Sequence, residues 1–162
     1  FRTVGTVFQD SWLFSGTIRD NVSMGQDDCS EQNIIECLRA AGANFIGDGT
    51  SADLDFLIQD QGSNLSGGQR QSVMMARALV FNPDIFLFDE PTSAMDGLTE
   101  AEVISSLSSS LGEKTLVVVT HKMPVVAMCD RVLVMDNGKL VGDGTKDAYF
   151  ELLQKHSEQK AK

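Results

Sequence analysis

Basic side chains are scarce: 13 Lys and Arg stand against 23 Asp and Glu among 162 residues, for a formal net charge of -10. That balance has the wrong sign for a protein that follows a phosphate backbone through cationic contacts, so nucleic acid is not an expected partner. Cysteine is limited to Cys29, Cys37 and Cys129. Their odd number and the lack of any Cys-x-x-Cys spacing exclude a disulfide framework and a thiolate zinc site, and the three read as free thiols of a reducing compartment. No apolar run approaches the roughly 20 residues that cross a bilayer, and the amino end lacks the basic-then-apolar layout of a signal peptide. The chain itself is expected to be soluble. Also missing is any Gly-x-x-x-x-Gly-Lys-Ser/Thr loop, the backbone cradle that many nucleotide-binding domains wrap around phosphates.

What is present, 42% of it hydrophobic, suits one compact domain or most of a larger one. Residues 3–8 read as a strand broken by Gln9-Asp10-Ser11, with Trp12, Leu13 and Phe14 as an apolar cluster just outside, and residues 17–22 read as a short helix. Ser30 is a good N-cap for a helix with Ile34, Ile35, Leu38 and Ala41 on one face and Gly42 at its end. Residues 47–64 turn to Gly, Ser, Asp and Asn, a loop-rich connection in which Leu54, Phe56 and Ile58 alternate as an extended segment would. Ser66 and Gln69 then match a capping box that opens a helix over 67–81.

After the Pro83-Asp84 turn, residues 85–88 are apolar on both faces, as in a strand buried in the middle of a parallel sheet. A helix over 98–111 and a second buried strand over 116–119 complete a βαβ crossover. Residues 131–135 and 139–141 flank Asp136-Asn137-Gly138, the signal of a tight type I′ hairpin. A last helix over 148–154 gives way to a polar tail, 155–162, expected to fray. The helix-rich first part hands over to the sheet near Gly62, although the insertion could equally be a lobe of one domain.

Ligands of open α/β sheets bind beyond the carboxyl ends of the strands. Asp89-Glu90 and Thr120-His121 both follow buried strands, so three titratable groups are expected on one edge. Two adjacent carboxylates can divide metal-assisted phosphoryl transfer, one near Mg2+ and the other polarising the attacking water. The helix opened by Ser66 offers a second anion site, since Gly67 and Gly68 carry no Cβ and the helix start adds roughly half a positive charge. Taken singly, each feature also has a plain role: a helix cap or solvated loop for the carboxylates, a polar strand terminus for His121, a capped helix start for Ser-Gly-Gly-Gln.

Val7-Phe8-Gln9-Asp10, Leu65-Ser66-Gly67-Gly68-Gln69-Arg70, Ile85 to Glu90 with Pro91-Thr92, Ser93-Ala94-Met95-Asp96 and Thr120-His121 stand in the order of the Q-loop, signature motif, Walker B strand, D-loop and H-loop of the ATP-binding cassette (ABC) ATPases, which this chain resembles over nearly its whole length. The resemblance implies a nucleoside triphosphatase-like parallel sheet flanked by helices, with a helical lobe. Residues 1–10 would be the end of a core strand and the Q-loop, 11–82 the lobe with the signature helix, and 83–162 the α/β core. ATP and Mg2+ would be the ligands. Gln9 would meet the metal and the attacking water, Asp89 would hold Mg2+ through water, Glu90 would be the general base, Asp96 would lie at a dimer seam, and His121 would contact the γ-phosphate. Leu65, Ser66, Gly67, Gly68 and Gln69 would grip the γ-phosphate of a nucleotide bound mainly by a second such domain, paired head to tail.

Three further expectations follow from the resemblance. The phosphate loop and adenine-stacking aromatic would lie upstream of Phe1, leaving these residues inactive alone. Phe14-Ser15-Gly16-Thr17-Ile18-Arg19-Asp20-Asn21 and Asp60-Gln61-Gly62 look like an exporter, most like the type I secretion permease-ATPases, on the cytoplasmic face of a membrane. Where such proteins carry Gly-Glu-x-Gly before the signature, this chain has Gln59-Asp60-Gln61-Gly62, without the first glycine. Trp12, Leu13 and Phe14 are candidates for the patch that meets a transmembrane domain, or else pack inside the lobe. Rival readings are a chromosome-maintenance or DNA-repair ATPase, disfavoured by the acidic charge and the absence of coiled-coil heptads, and a non-catalytic interaction module.

Overall fold

The computed structural model describes residues 3–9, 11–26, 28–46 and 50–160. They fall into two compact units, Phe1–Thr120 and His121–Lys162. In the first unit, strands β1 (Val4–Val7), β4 (Ile85–Asp89) and β5 (Thr115–Val119) form a parallel sheet in the order β1-β4-β5. The apolar run at 85–88 takes the central place that its composition predicts. Helix α5 (Gly97–Leu111) is the crossover between β4 and β5, which makes the expected βαβ unit.

The lobe is built around helix α4 (Gly67–Leu79), whose Val73, Met75 and Ala76 are fully enclosed. It packs on β1 and on helices α1 (Ile18–Ser23) and α2 (Glu31–Ala40). Thr17 and Asp20 close a capping box on α1, and the Ser30 hydroxyl accepts from Asn33 N–H to start α2. Ile34, Ile35 and Leu38 form the buried face of α2, as their spacing predicts. Cys37 shares this packing, and burial pushes its thiol up to about 11, with smaller contributions from Glu36 and Cys29. At pH 8 Cys37 in the native chain is therefore expected to react with iodoacetamide about two orders of magnitude more slowly than an unfolded thiol. Peptide mass mapping with and without urea reads the ratio, and equal rates would contradict the packing of α2.

Three expectations are corrected. Leu54, Phe56 and Ile58 are not one extended run: Thr50 and Asp53 form a capping box that nucleates helix α3 (Ser51–Leu54), and only β3 (Leu57–Ile58) is extended, paired with β2 (Gly16–Thr17). Residues 47–49 of that stretch lie outside the described residues. The strand at 116–119 is not buried on both faces. It is the last strand of the sheet among the described residues, and Val117 and Val119, 52% and 61% exposed, share the one of its faces that is left open. Helix α4 ends two residues early, where Asn82 turns to φ 49 ahead of Pro83.

In the second unit, helix α6 (Met123–Ala127) precedes an antiparallel hairpin of β6 (Arg131–Asp136) and β7 (Lys139–Thr145). Asn137 (φ 46) and Gly138 (φ 75) make its two-residue turn as the sequence predicts. The Arg131 guanidinium donates twice to the Asp143 carboxylate, at 2.7 Å each, across the hairpin. Helix α7 runs over Lys146–Lys160 and so takes in residues expected to fray. Its sequence holds neither Gly nor Pro and is rich in Lys, Glu and Gln, which continue a helix readily.

Candidate functional site

The three parallel strands deliver their carboxyl ends to one edge of the first unit. Asp89 ends β4 level with Val119 of β5. Glu90 follows at φ 47, a left-handed conformation that is uncommon for a non-glycine residue and unusual before proline. Its N–H donates to the Val119 carbonyl at 2.9 Å, and the Thr120 hydroxyl donates to its Oε2 at 3.4 Å. Strained backbone of this kind clusters at functional sites. Beside it, β1 ends at Val7 level with Phe88. A tight turn follows, in which Phe8 N–H donates to Ser11 Oγ at 2.9 Å and Ser11 N–H donates to the Phe8 carbonyl at 3.0 Å, with Gln9 exposed on it. Asp10 lies outside the described residues.

The glycine-opened helix start is α4. The Ser66 hydroxyl accepts from Gln69 N–H at 3.2 Å, and Gln69 Oε1 accepts from Ser66 N–H at 2.8 Å. The capping box thus leaves Ser66 exposed, with Gly67 and Gly68 half-buried behind it. A helix start leaves its first N–H groups without intrahelical acceptors. The glycines also answer to a packing demand that anion binding alone does not imply. A Cβ on Gly67 would sit 3.0 Å from the Ala94 Cβ, and one on Gly68 would sit 3.0 Å from the Ala94 carbonyl oxygen. The 93–96 segment therefore presses directly against the first turn of α4.

That segment is itself anchored. Asp96 caps α5, accepting from Leu98 and Thr99 N–H and from the Thr99 hydroxyl at 2.8 Å. These bonds, the Thr99 N–H first, hold its carboxyl below the usual range. The buried Thr92 hydroxyl donates to Glu100 at 2.5 Å and ties the segment to α5.

On the lobe, Asp60, Gln61, Ser63, Arg70, Ser11 and Trp12 line an open groove of about 620 Å³. Of the apolar cluster, Trp12 is 64% exposed and turned to this groove, whereas Leu13 is fully buried. Phe14 lies under Arg77, 5.4 Å from its guanidinium carbon. Arg77 donates to the Asn21 carbonyl, Asn21 Oδ1 and the Trp12 carbonyl, at 2.8, 2.9 and 3.2 Å. Burial lowers its pKa. The Leu13 side chain thus belongs to the lobe's core, and Trp12 is what the cluster presents outward. Gly62, at φ 71, has no room for a Cβ beside Arg70, which accounts for the glycine that this loop keeps.

His121, exposed, opens the second unit directly after Thr120. Among the described residues no group of three or more His, Cys, Asp or Glu could hold a metal. The oxygen donors of Asp89 and Gln9 nevertheless fit Mg2+, which takes one or two carboxylates together with waters and phosphate oxygens. Thr120, as a partner of Glu90, and Gln71, which faces the 90–94 segment from α4, are not among the contacts that the sequence predicts. The spacing of Gln71 four residues after Gly67, on the same helix face, was the available signal.

Strand-end carboxylates and a glycine-opened helix on a parallel sheet are the parts of an α/β domain of the phosphate-binding class. The family model described as ABC transporter matches residues 2–93. The chain belongs to the ABC transporter family. It is 42% identical to an uncharacterized ABC transporter ATP-binding protein of Mycobacterium tuberculosis over 148 residues, 89% of this chain and 25% of that protein. It is 36% identical over 157 residues to the leukotoxin translocation ATP-binding protein LktB of Pasteurella haemolytica-like sp., covering 96% of this chain and 22% of the relative. A bacterial Atm1-family ABC exporter solved with ATP bound matches at TM-score 0.86 and 32% identity, over 99% of this chain and 29% of its own. The chain thus spans about a quarter of the length of the curated relatives it matches. No helix among the described residues is long and apolar enough to cross a membrane.

Proposed function

We propose that this chain supplies the signature-helix and Walker B faces of an ATP-hydrolysing domain that drives export across a membrane, working from the cytoplasmic side. The observation that carries this reading is the strained, hydrogen-bonded strand-end Glu90 in the same unit as an open, glycine-started α4. In this reading the domain has a lobe over 11–82. ATP lies across a seam between two such domains paired head to tail. Leu65, Ser66, Gly67, Gly68 and Gln69 present the start of α4 to the γ-phosphate of one nucleotide. Glu90 accepts the proton of the water that attacks the other, and His121 donates to its γ-phosphate. Asp89 and Gln9 would hold Mg2+, which when bound would supply positive charge against the phosphate oxygens. Catalysis is then positional and electrostatic.

Asp96 and Leu98, the latter 81% exposed, lie on the seam. Trp12 and the groove beside it receive an intracellular segment of the transmembrane domain, and the cargo class is that of exporters such as the leukotoxin translocator. The full-length protein in lipid should hydrolyse Mg-ATP and bind no DNA at moderate salt. Retention of duplex DNA with no ATP turnover would overturn the reading in favour of a chromosome-type ATPase.

A further inference from the structure

Gln71 ties the two faces of the site to each other. Its Nε2 donates to the Glu90 carbonyl at 3.1 Å and to the Ser93 hydroxyl at 2.8 Å, and its Oε1 accepts from Ala94 N–H at 2.9 Å. Both donors of the amide and its carbonyl oxygen are therefore spent on the segment that follows β4. Glu90 in turn is held on both sides of its Cα: β5 takes its N–H through Val119, and α4 reaches its carbonyl through Gln71. A non-glycine residue at φ 47 persists only where its surroundings over-determine it. Without the Gln71 donors the Glu90 carbonyl keeps the 3.2 Å bond from Ser93 N–H but loses its tie to α4, so the Glu90 backbone is freer to leave the left-handed region, which re-aims the carboxylate.

We propose that Gln71 is a positioning residue that holds Glu90 in its left-handed conformation and makes the aim of that carboxylate depend on the seat of α4. The inference rests on the proposed function. If the first turn of α4 grips one nucleotide while Glu90 acts on the other, Gln71 is a one-residue link between the two ATP sites. A shift of α4 on its ligand moves the base of the opposite reaction. The 93–94 backbone, tied to the same amide and packed on Gly67 and Gly68, moves with it.

Three substitutions in the full-length protein separate this role from plain packing. Gln71→Met keeps the volume and removes all three bonds, Gln71→Glu keeps only the acceptor to Ala94, and Gln71→Lys keeps a donor within reach of the Glu90 carbonyl. Gln71→Met and Gln71→Glu are expected to lower kcat about tenfold or more with KM for ATP within about twofold, and Gln71→Lys to recover kcat to within about threefold of the parent. Thermal midpoints of all three should stay close to that of the parent protein. Unchanged turnover in Gln71→Met overturns the proposal, as does a Gln71→Lys enzyme no better than Gln71→Met. The parent reading fails separately: a Glu90→Gln enzyme with full turnover removes the base itself, whereas an inactive Glu90→Gln beside a fully active Gln71→Met sinks only the link.

Discussion

Replacing Glu90 with Gln in the full-length protein is expected to cut ATP turnover by about a hundredfold or more while ATP still drives the two domains together. The substitution changes one oxygen for an amide and little else. The Glu90 N–H bond to Val119 and the Gln71 bond to its carbonyl are made by the backbone and survive. The amide oxygen can still accept from the Thr120 hydroxyl. The carboxylate's charge and its capacity to take a proton from water disappear, so the effect should fall on kcat more than on the phosphate grip. Phosphate release under saturating Mg-ATP measures the loss, and size-exclusion chromatography with ATP measures the retained association. Turnover within twofold of the parent would remove Glu90 from the role of general base.

The second large effect is expected from Ser66→Asp. Aspartate caps a helix about as well as serine, and its charge is favourable at a helix start, so α4 keeps its fold. The same charge stands where the γ-phosphate is proposed to lie. A pair of like charges about 4 Å apart costs about 1 kcal/mol in water and about 4 kcal/mol near a protein surface, and even the lower figure weakens closure about fivefold. ATP-driven dimers should be lost while circular dichroism and nucleotide binding to each separate subunit are kept. The bulkier Ser66→Arg should block closure as well, but it also removes the cap and is the less clean experiment. Full closure of the Ser66→Asp protein would show that α4 does not face a nucleotide.

Much of this architecture is legible in the residues because it is written in local chemistry. Ser30, Ser66 with Gln69, and Asn137-Gly138 each specify their own backbone within a few positions, and the structure has a helix start or a turn at each. The central strand is legible from its unbroken apolar run. The short β3 strand is less legible, since two extended residues between α3 and a 3-10 turn at Asp60–Gly62 leave no periodicity to detect. Leu13 is buried and Trp12 exposed on a segment that Arg77 reaches from α4, a distant contact that no local pattern encodes. The strained φ of Glu90 and its clamp by Gln71 likewise arise from tertiary bonds.

The close seating of Ala94 on Gly67 and Gly68 carries a further consequence for how this family of sequences can drift. A side chain at position 67 or 68 would press on Ala94 at 3.0 Å, so the 93–94 segment or the start of α4 would have to give by a few tenths of an ångström. Growth at either glycine therefore asks position 94 to yield, which couples the drift of the first turn of α4 to that of the segment after Glu90.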